Sequence, residues 1–164
     1  MPDVRLEAMG LAANHVFTPQ RIDGCGCGEE RLRAWAQRRG GRVLVVDDSP
    51  VERAVTVSAL EKTGFKVVSA ADGREAVEIV RDAPLPFDAV VMDVSMPNLD
   101  GVAAARSIRA LPGPRRHVPI IALTSNTSPE DCAACRDAGM NAHTAKPLRL
   151  AQLLDAMRAH LPMN

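Results

Sequence analysis

Tyrosine is absent from this chain, and three Phe and one Trp hold the aromatic share to 2%. A core for 164 residues must therefore be built from Val, Ile, Leu, Ala and Met, which suits closely packed α/β layers. Neither sign of charge is in excess. The 20 basic and 20 acidic residues leave a net charge of +0, so the chain lacks the basic field of a polyanion binder, and no direct nucleic-acid ligand is expected. No apolar run approaches the roughly 20 residues of a membrane span, and the N-terminus lacks the basic-then-apolar order of a secretory signal. A cytoplasmic protein without membrane contact is expected. Cysteine is scarce, at Cys25, Cys27, Cys132 and Cys135; in a reducing compartment disulfides are not its expected use.

What is present has a clear rhythm from Arg42 onward. RVLVVDD (42–48) and FDAVVMD (87–93) are Val-rich runs without polar alternation, the pattern of strands buried on both faces of a parallel sheet. KVVSA (66–70) and VPIIALT (118–124) read alike, and the weaker AHTAK (142–146) reads as an edge strand. Helix-period segments separate them and a last one, LRLAQLLDAMRAHL, closes the chain. In the first, Val51, Val55, Ala59 and Leu60 recur on one face, and Gly64 supplies the stop. Five consecutive βα units imply an α/β fold, a parallel sheet with helices on both faces. Ligands then bind beyond the carboxyl ends of the strands. Residues 1–41 differ: an aperiodic, partly disordered arm is followed by the linker helix EERLRAWAQRR, with Leu32, Trp35 and Ala36 on one face and a hinge at Gly40–Gly41. The division expected is an arm and linker helix over 1–41 and one domain over 42–164.

The carboxyl ends of the strands carry Asp47 and Asp48, then Asp93, then Thr124, then Lys146. Clustered carboxylates repel one another unless a cation neutralises them. With oxygen donors only and no His or Cys among them, the cation implied is Mg²⁺, with Mn²⁺ as the alternative. Asp93 beside such a Lewis acid is a carboxylate nucleophile, and Thr124 and Lys146 are placed to hold the oxygens of an incoming group. That is phosphoryl transfer to an aspartate, in which positioning and charge neutralisation supply most of the catalysis. Asp47, Asp48, Asp93 and the Ser95 backbone carbonyl are the metal ligands on this reading.

At these residues the chain resembles the response-regulator receiver domains of two-component phosphorelays. VLVVDD, VVMDVSMPNLDG, ALTSN and AKPL stand in the expected order between about Arg42 and Leu161. The resemblance implies a flavodoxin-like (βα)5 three-layer sandwich of strand order 2-1-3-4-5, Mg²⁺ dependence and a cis bond before Pro147. It implies phosphorylation of Asp93 by a histidine kinase or a histidine phosphotransfer protein. A downstream protein would be met by the face of the domain's fourth helix, fifth strand and fifth helix, with homodimerisation left open. Thr124, Ser125 and Lys146 would then bind the phosphoryl group, and Ser95 and Asn126 would occupy the positions that tune its lifetime. The chain departs from the family at His143, where an aromatic switch residue is usual; a histidine there keeps a ring that can swing and titrate. ALTSNTSPEDCAACRDAGMNAHTAKPL is most similar to receivers of hybrid sensor histidine kinases, so a C-terminal receiver fragment of such a kinase is one alternative.

A second alternative is a Mg²⁺-dependent aspartyl-phosphate phosphatase-type enzyme. The DxDx[TV] pattern of that class is missing, since Val94, Ser95 and Met96 follow Asp93. A flavodoxin-like cofactor carrier is disfavoured by the two carboxylates after the first strand, which would repel a flavin phosphate. The expected protein is thus a regulatory domain whose chemistry is confined to its own phosphorylation and dephosphorylation. Cys132 and Cys135 share a helical face beside alanines and read as small core residues before they read as half of a zinc site. Asp100 reads as a helix cap rather than a ligand.

Overall fold

The computed structural model describes residues 26–96, 99–125 and 128–161. The elements are α1 (Gly26–Arg39), β1 (Arg42–Val46), α2 (Pro50–Lys62), β2 (Lys66–Ala70), α3 (Gly73–Asp82), β3 (Ala89–Asp93), α4 (Gly101–Arg109), β4 (Ile120–Thr124), α5 (Pro129–Asp137), β5 (Ala142–Ala145) and α6 (Leu150–His160). A 3-10 turn at Pro114–His117 leads into β4. All strand pairs are parallel, and the five-stranded sheet runs β2-β1-β3-β4-β5. This is the flavodoxin-like order.

Apart from Arg42, Asp93 and Thr124 at their ends, the central strands are apolar because both of their faces are covered. Leu44, Val46, Val90, Met92, Ile120 and Ala122 point toward α3, α4 and α5, meeting Ala76, Val80, Ala104, Ile108 and Cys135. Val43, Val45, Val91, Ile121 and Leu123 point the other way, toward Leu60 of α2 and Leu153, Leu154 and Met157 of α6. Edge strand β2 departs from the pattern: Lys66, Val68 and Ser69 are exposed and only Ala70 is buried.

Helix starts follow local chemistry. Ser49, Asp72, Asp100 and Ser128 each accept a backbone N–H three residues on, satisfying one of the donors that a helix start leaves open. Asp100 is thus the cap of α4, bonded to Ala103 at 2.8 Å. The apolar face expected for α2 differs. Val51 is 74% and Val55 54% exposed, whereas Thr56 and Leu60 are buried. Thr56 can go inside because its hydroxyl donates to the Glu52 carbonyl at 3.1 Å, which removes the cost of an unpaired buried hydroxyl.

Helix α1 begins at Gly26, earlier than the charged stretch suggested, and joins the second core. Leu32, Trp35 and Ala36 are buried with Leu60, Phe65, Met157 and Leu161. The Trp35 and Phe65 rings lie 6.3 Å apart at 59°, a tilted aromatic pair. Its junction with β1 is pinned rather than hinged. Arg39, nearly inaccessible, pairs with Asp88 at 3.2 Å and donates to the Gly40 carbonyl at 2.8 Å. The other Asp88 oxygen accepts the Arg42 amide at 2.8 Å. Gly41 has φ 129°, and a Cβ there would stand 2.6 Å from Asp88 Oδ2 and 2.8 Å from Arg39 Nη1, so only glycine passes. The expected N-terminal arm, Cys25 and the Cys27 side chain fall outside the described residues, as do Pro97 and Asn126.

Candidate functional site

The register of the sheet delivers the site. β1 ends at Val46, and Asp47 follows it with its amide bonded to the Ala70 carbonyl at 3.2 Å. Asp93 is the last residue of β3 and is paired in register with Leu123, one residue short of Thr124. Thr124 pairs with Ala145, and the next amide, Lys146 N–H, donates to the Thr124 carbonyl at 2.9 Å. Parallel strands that end at one level therefore bring Asp47, Asp93, Thr124 and Lys146 to one rim.

The side chains converge there. Lys146 Nζ lies 3.3 Å from Asp93 Oδ2, 3.4 Å from Asp47 Oδ2 and 2.7 Å from Glu52 Oε2. Asp47 is 1% exposed and Asp93 is buried. Carboxylate oxygens of Asp47, Glu52 and Asp93 come within 4.8 Å of one another. Asp48 is exposed and stands outside that group. The peptide bond from Lys146 to Pro147 is cis. Backbone amides hold the two buried acids in place, Ser49 N–H on Asp47 Oδ1 at 2.9 Å and Ser95 N–H on Asp93 Oδ1 at 3.3 Å. Gly101, the first residue of α4, lies so close that a Cβ there would collide with the Asp93 carbonyl oxygen.

Electrostatics mark Asp93. Burial pushes its carboxyl up to about 6; the Lys146 ammonium opposes that shift and the Asp47 charge adds to it. For Lys146, burial disfavours the charged form, but the Glu52 hydrogen bond and the Asp93 and Asp47 charges outweigh it and hold the ammonium above its ordinary range. An acid strained toward its neutral form beside a fixed cation is the state that an added cation would relieve. The donor set fits a hard divalent ion, since close carboxylates with oxygen ligands alone suit Mg²⁺.

Of the other expected site residues, Thr124 is buried and Ser95 and Ser125 are exposed. His143 stands half-buried in β5 with Nε2 3.7 Å from Cys132 Sγ, and burial lowers its pKa. Cys132 and Cys135 are free thiols, the latter buried. Glu52 was not singled out from the sequence. The available signal was Ser49-x-x-Glu52, a capping-box spacing, in which the glutamate would bond back to the cap residue's amide. Here Asp47 already takes that amide, so the Glu52 side chain is released and reaches Lys146.

A family model described as "Response regulator receiver domain" matches residues 43–158. The chain belongs to the response regulator receiver family. It is thus a receiver domain of two-component systems, a phosphoryl-accepting module of a family whose members bind Mg²⁺ and interact with histidine kinases or phosphotransfer proteins. Among curated relatives, this receiver is 33% identical over 127 residues to the sensory/regulatory protein RpfC of Xanthomonas campestris pv. campestris, covering 77% of this chain and 17% of that protein. It is 37% identical over 122 residues to the CAI-1 autoinducer sensor kinase/phosphatase CqsS of Vibrio cholerae, covering 74% and 18%. The chain thus spans less than a fifth of these two relatives. Among solved structures, the receiver domain of sensor histidine kinase PA1611 from Pseudomonas aeruginosa PAO1, described with a magnesium ion coordinated in its active-site cleft, superposes with a TM-score of 0.67 at 40% identity, over 74% of this chain and 97% of that one. Vibrio cholerae CheY4 gives a TM-score of 0.68 at 33% identity, covering 73% and 98%. No helix among the described residues is long and apolar enough to cross a membrane.

Proposed function

We propose that Asp93 is the phosphoacceptor of this receiver and that a phosphohistidine, on a histidine kinase or a histidine phosphotransfer protein, is the donor. The observation that carries this reading is the convergence of two buried carboxylates and one ammonium, Asp47, Asp93 and Lys146, at one rim of the sheet. Asp93 attacks the phosphorus, forming a P–O bond as the P–N bond to the donor imidazole breaks; the imidazole leaves with the electron pair and regains a proton from water. Lys146 and the Thr124 hydroxyl, with Ser125 beside them, hold the transferred oxygens and offset their charge. Asp47, Asp48, Asp93 and the Ser95 carbonyl are the groups that would hold Mg²⁺, or Mn²⁺ in its place. The ion supplies charge neutralisation between the acids and the incoming phosphoryl group.

His143 takes the position of the switch ring in β5, and the face formed by α5, β5 and α6 meets the downstream protein. Ser95 and Asn126 set how long the acyl phosphate lasts against water. The chemistry acts on the domain's own aspartate, which makes the protein a regulator rather than an enzyme with an external substrate. The matches to RpfC and CqsS support a second reading, a receiver cut from a hybrid sensor kinase. The test is binding of fluoroberyllate, a phosphoryl mimic, in the presence of Mg²⁺. Saturable binding that is lost with chelator and in Asp93→Asn supports the assignment; binding retained in Asp93→Asn moves the acceptor elsewhere.

A further inference from the structure

Lys146 Nζ has three N–H donors and three carboxylate oxygens around it. The shortest contact is to Glu52, at 2.7 Å, against 3.3 Å to Asp93 and 3.4 Å to Asp47. Glu52 sits in the first turn of α2, and its side chain is 53% exposed. Its backbone amide is bound to the Ser49 hydroxyl at 3.4 Å, and its carboxylate is spared from capping because Asp47 occupies the Ser49 amide. The local chemistry thus orients an otherwise ordinary surface glutamate across the mouth of the site.

We propose that Glu52 is a positioning residue that holds the Lys146 ammonium at the mouth of the site in the unphosphorylated domain and competes with the phosphoryl oxygens for it. The inference rests on the reading of Asp93 as acceptor and Lys146 as phosphate binder. A phosphoryl group on Asp93 brings new acceptor oxygens to within reach of an ammonium whose donors are already engaged. One carboxylate has to give way. Asp47 and Asp93 are buried, and stripping either of its cation leaves a buried charge unpaired, which is costly. Glu52 can be rehydrated at once, and an exposed pair is weak enough to release. The glutamate therefore acts as a latch: strong enough to bias Lys146, weak enough to yield.

The test combines Glu52→Gln, Lys146→Ala and the double variant, with fluoroberyllate affinity measured at saturating Mg²⁺ and Mg²⁺ affinity measured separately. Glu52→Gln is expected to bind fluoroberyllate about 2- to 5-fold more tightly, the range that a surface ion pair can return. The gain should vanish in the Lys146→Ala background, and Glu52→Asp, with its shorter reach, should fall between wild type and Gln. A second readout needs no ligand. Lysine occurs only at 62, 66 and 146, so the side-chain NMR signals of the metal-free protein are few, and the Lys146 ammonium protons should exchange faster in Glu52→Gln.

Unchanged or weaker fluoroberyllate binding by Glu52→Gln at saturating Mg²⁺ overturns the latch, as does a gain that survives without Lys146. A loss confined to Mg²⁺ affinity makes Glu52 a metal ligand instead and equally overturns it. Failure of the underlying reading is separate: there, the wild type does not bind the mimic, or Asp93→Asn still does.

Discussion

Replacing Asp93 by Asn should make the metal-free protein more stable, although it removes the proposed phosphoacceptor. The carboxyl rises from an ordinary 3.8 to about 6 on folding, chiefly through burial. Between those values the folded chain binds more protons than the unfolded one, so stability falls as pH rises through that window, and the loss is complete above about pH 6. At 1.36 kcal/mol per pKa unit the difference corresponds to about 3 kcal/mol; screening by water at the rim reduces it to about 1–2 kcal/mol. Asn keeps the size and cannot ionise, so in chelator at pH 7 it should raise Tm by about 2–8 °C. The gain should shrink toward zero at pH 4, where the wild-type carboxyl is itself neutral. Added Mg²⁺ should narrow or reverse the gap, because the wild type alone retains the full set of acids and gains stability by mass action. Calorimetric melting from pH 4 to 8, with chelator and with Mg²⁺, reads all three effects. A variant less stable than wild type at pH 7 without metal, or a gap that ignores pH, would refute the argument that burial strains this carboxylate.

Two further outcomes follow from the geometry. Lys146→Ala takes away the cation shared by Asp47, Glu52 and Asp93, so titration should show Mg²⁺ affinity retained or strengthened while the spectral change induced by fluoroberyllate disappears; a normal response would remove Lys146 from its proposed role. Trp35→Ala should cost about 3–5 kcal/mol in denaturant melts followed by circular dichroism, as for a buried tryptophan in a shared core. Because Trp35 is the sole tryptophan, its wild-type fluorescence should change in step with the dichroism, and an earlier fluorescence transition would mean that α1 undocks alone.

The sheet and the rim were legible in the sequence for the same reason. Strands covered on both faces cannot alternate, so Val43–Val46, Ala89–Met92 and Ile120–Leu123 stand out as unbroken apolar runs, and a polar residue closing such a run is conspicuous. Asp47, Asp93 and Thr124 are of that kind. β2 was fainter because an edge strand tolerates Lys66 and Ser69. Glu52 was hidden because its orientation depends on which acceptor wins the Ser49 amide, a competition between two nearby carboxylates that spacing does not decide. The face of α2 was misjudged because Val51 and Val55 look like core residues, whereas Thr56 becomes one only after its hydroxyl finds the Glu52 carbonyl. For α1, the stripe of Leu32, Trp35 and Ala36 announced a buried face but not its partner. The Gly40–Gly41 pair read as a hinge until Asp88, distant in sequence, was seen to clamp both sides of it.

That clamp has a geometric consequence for whatever is joined ahead of Gly26. With its last residue tethered to Asp88 and one side sunk into the core, α1 has little freedom to swivel, and it sets a bearing in the way a keyed shaft does. Each residue inserted into or removed from the helix before Leu32 would rotate the start of α1 at Gly26 by about 100° about the helix axis and shift it by about 1.5 Å, while leaving the acidic rim untouched.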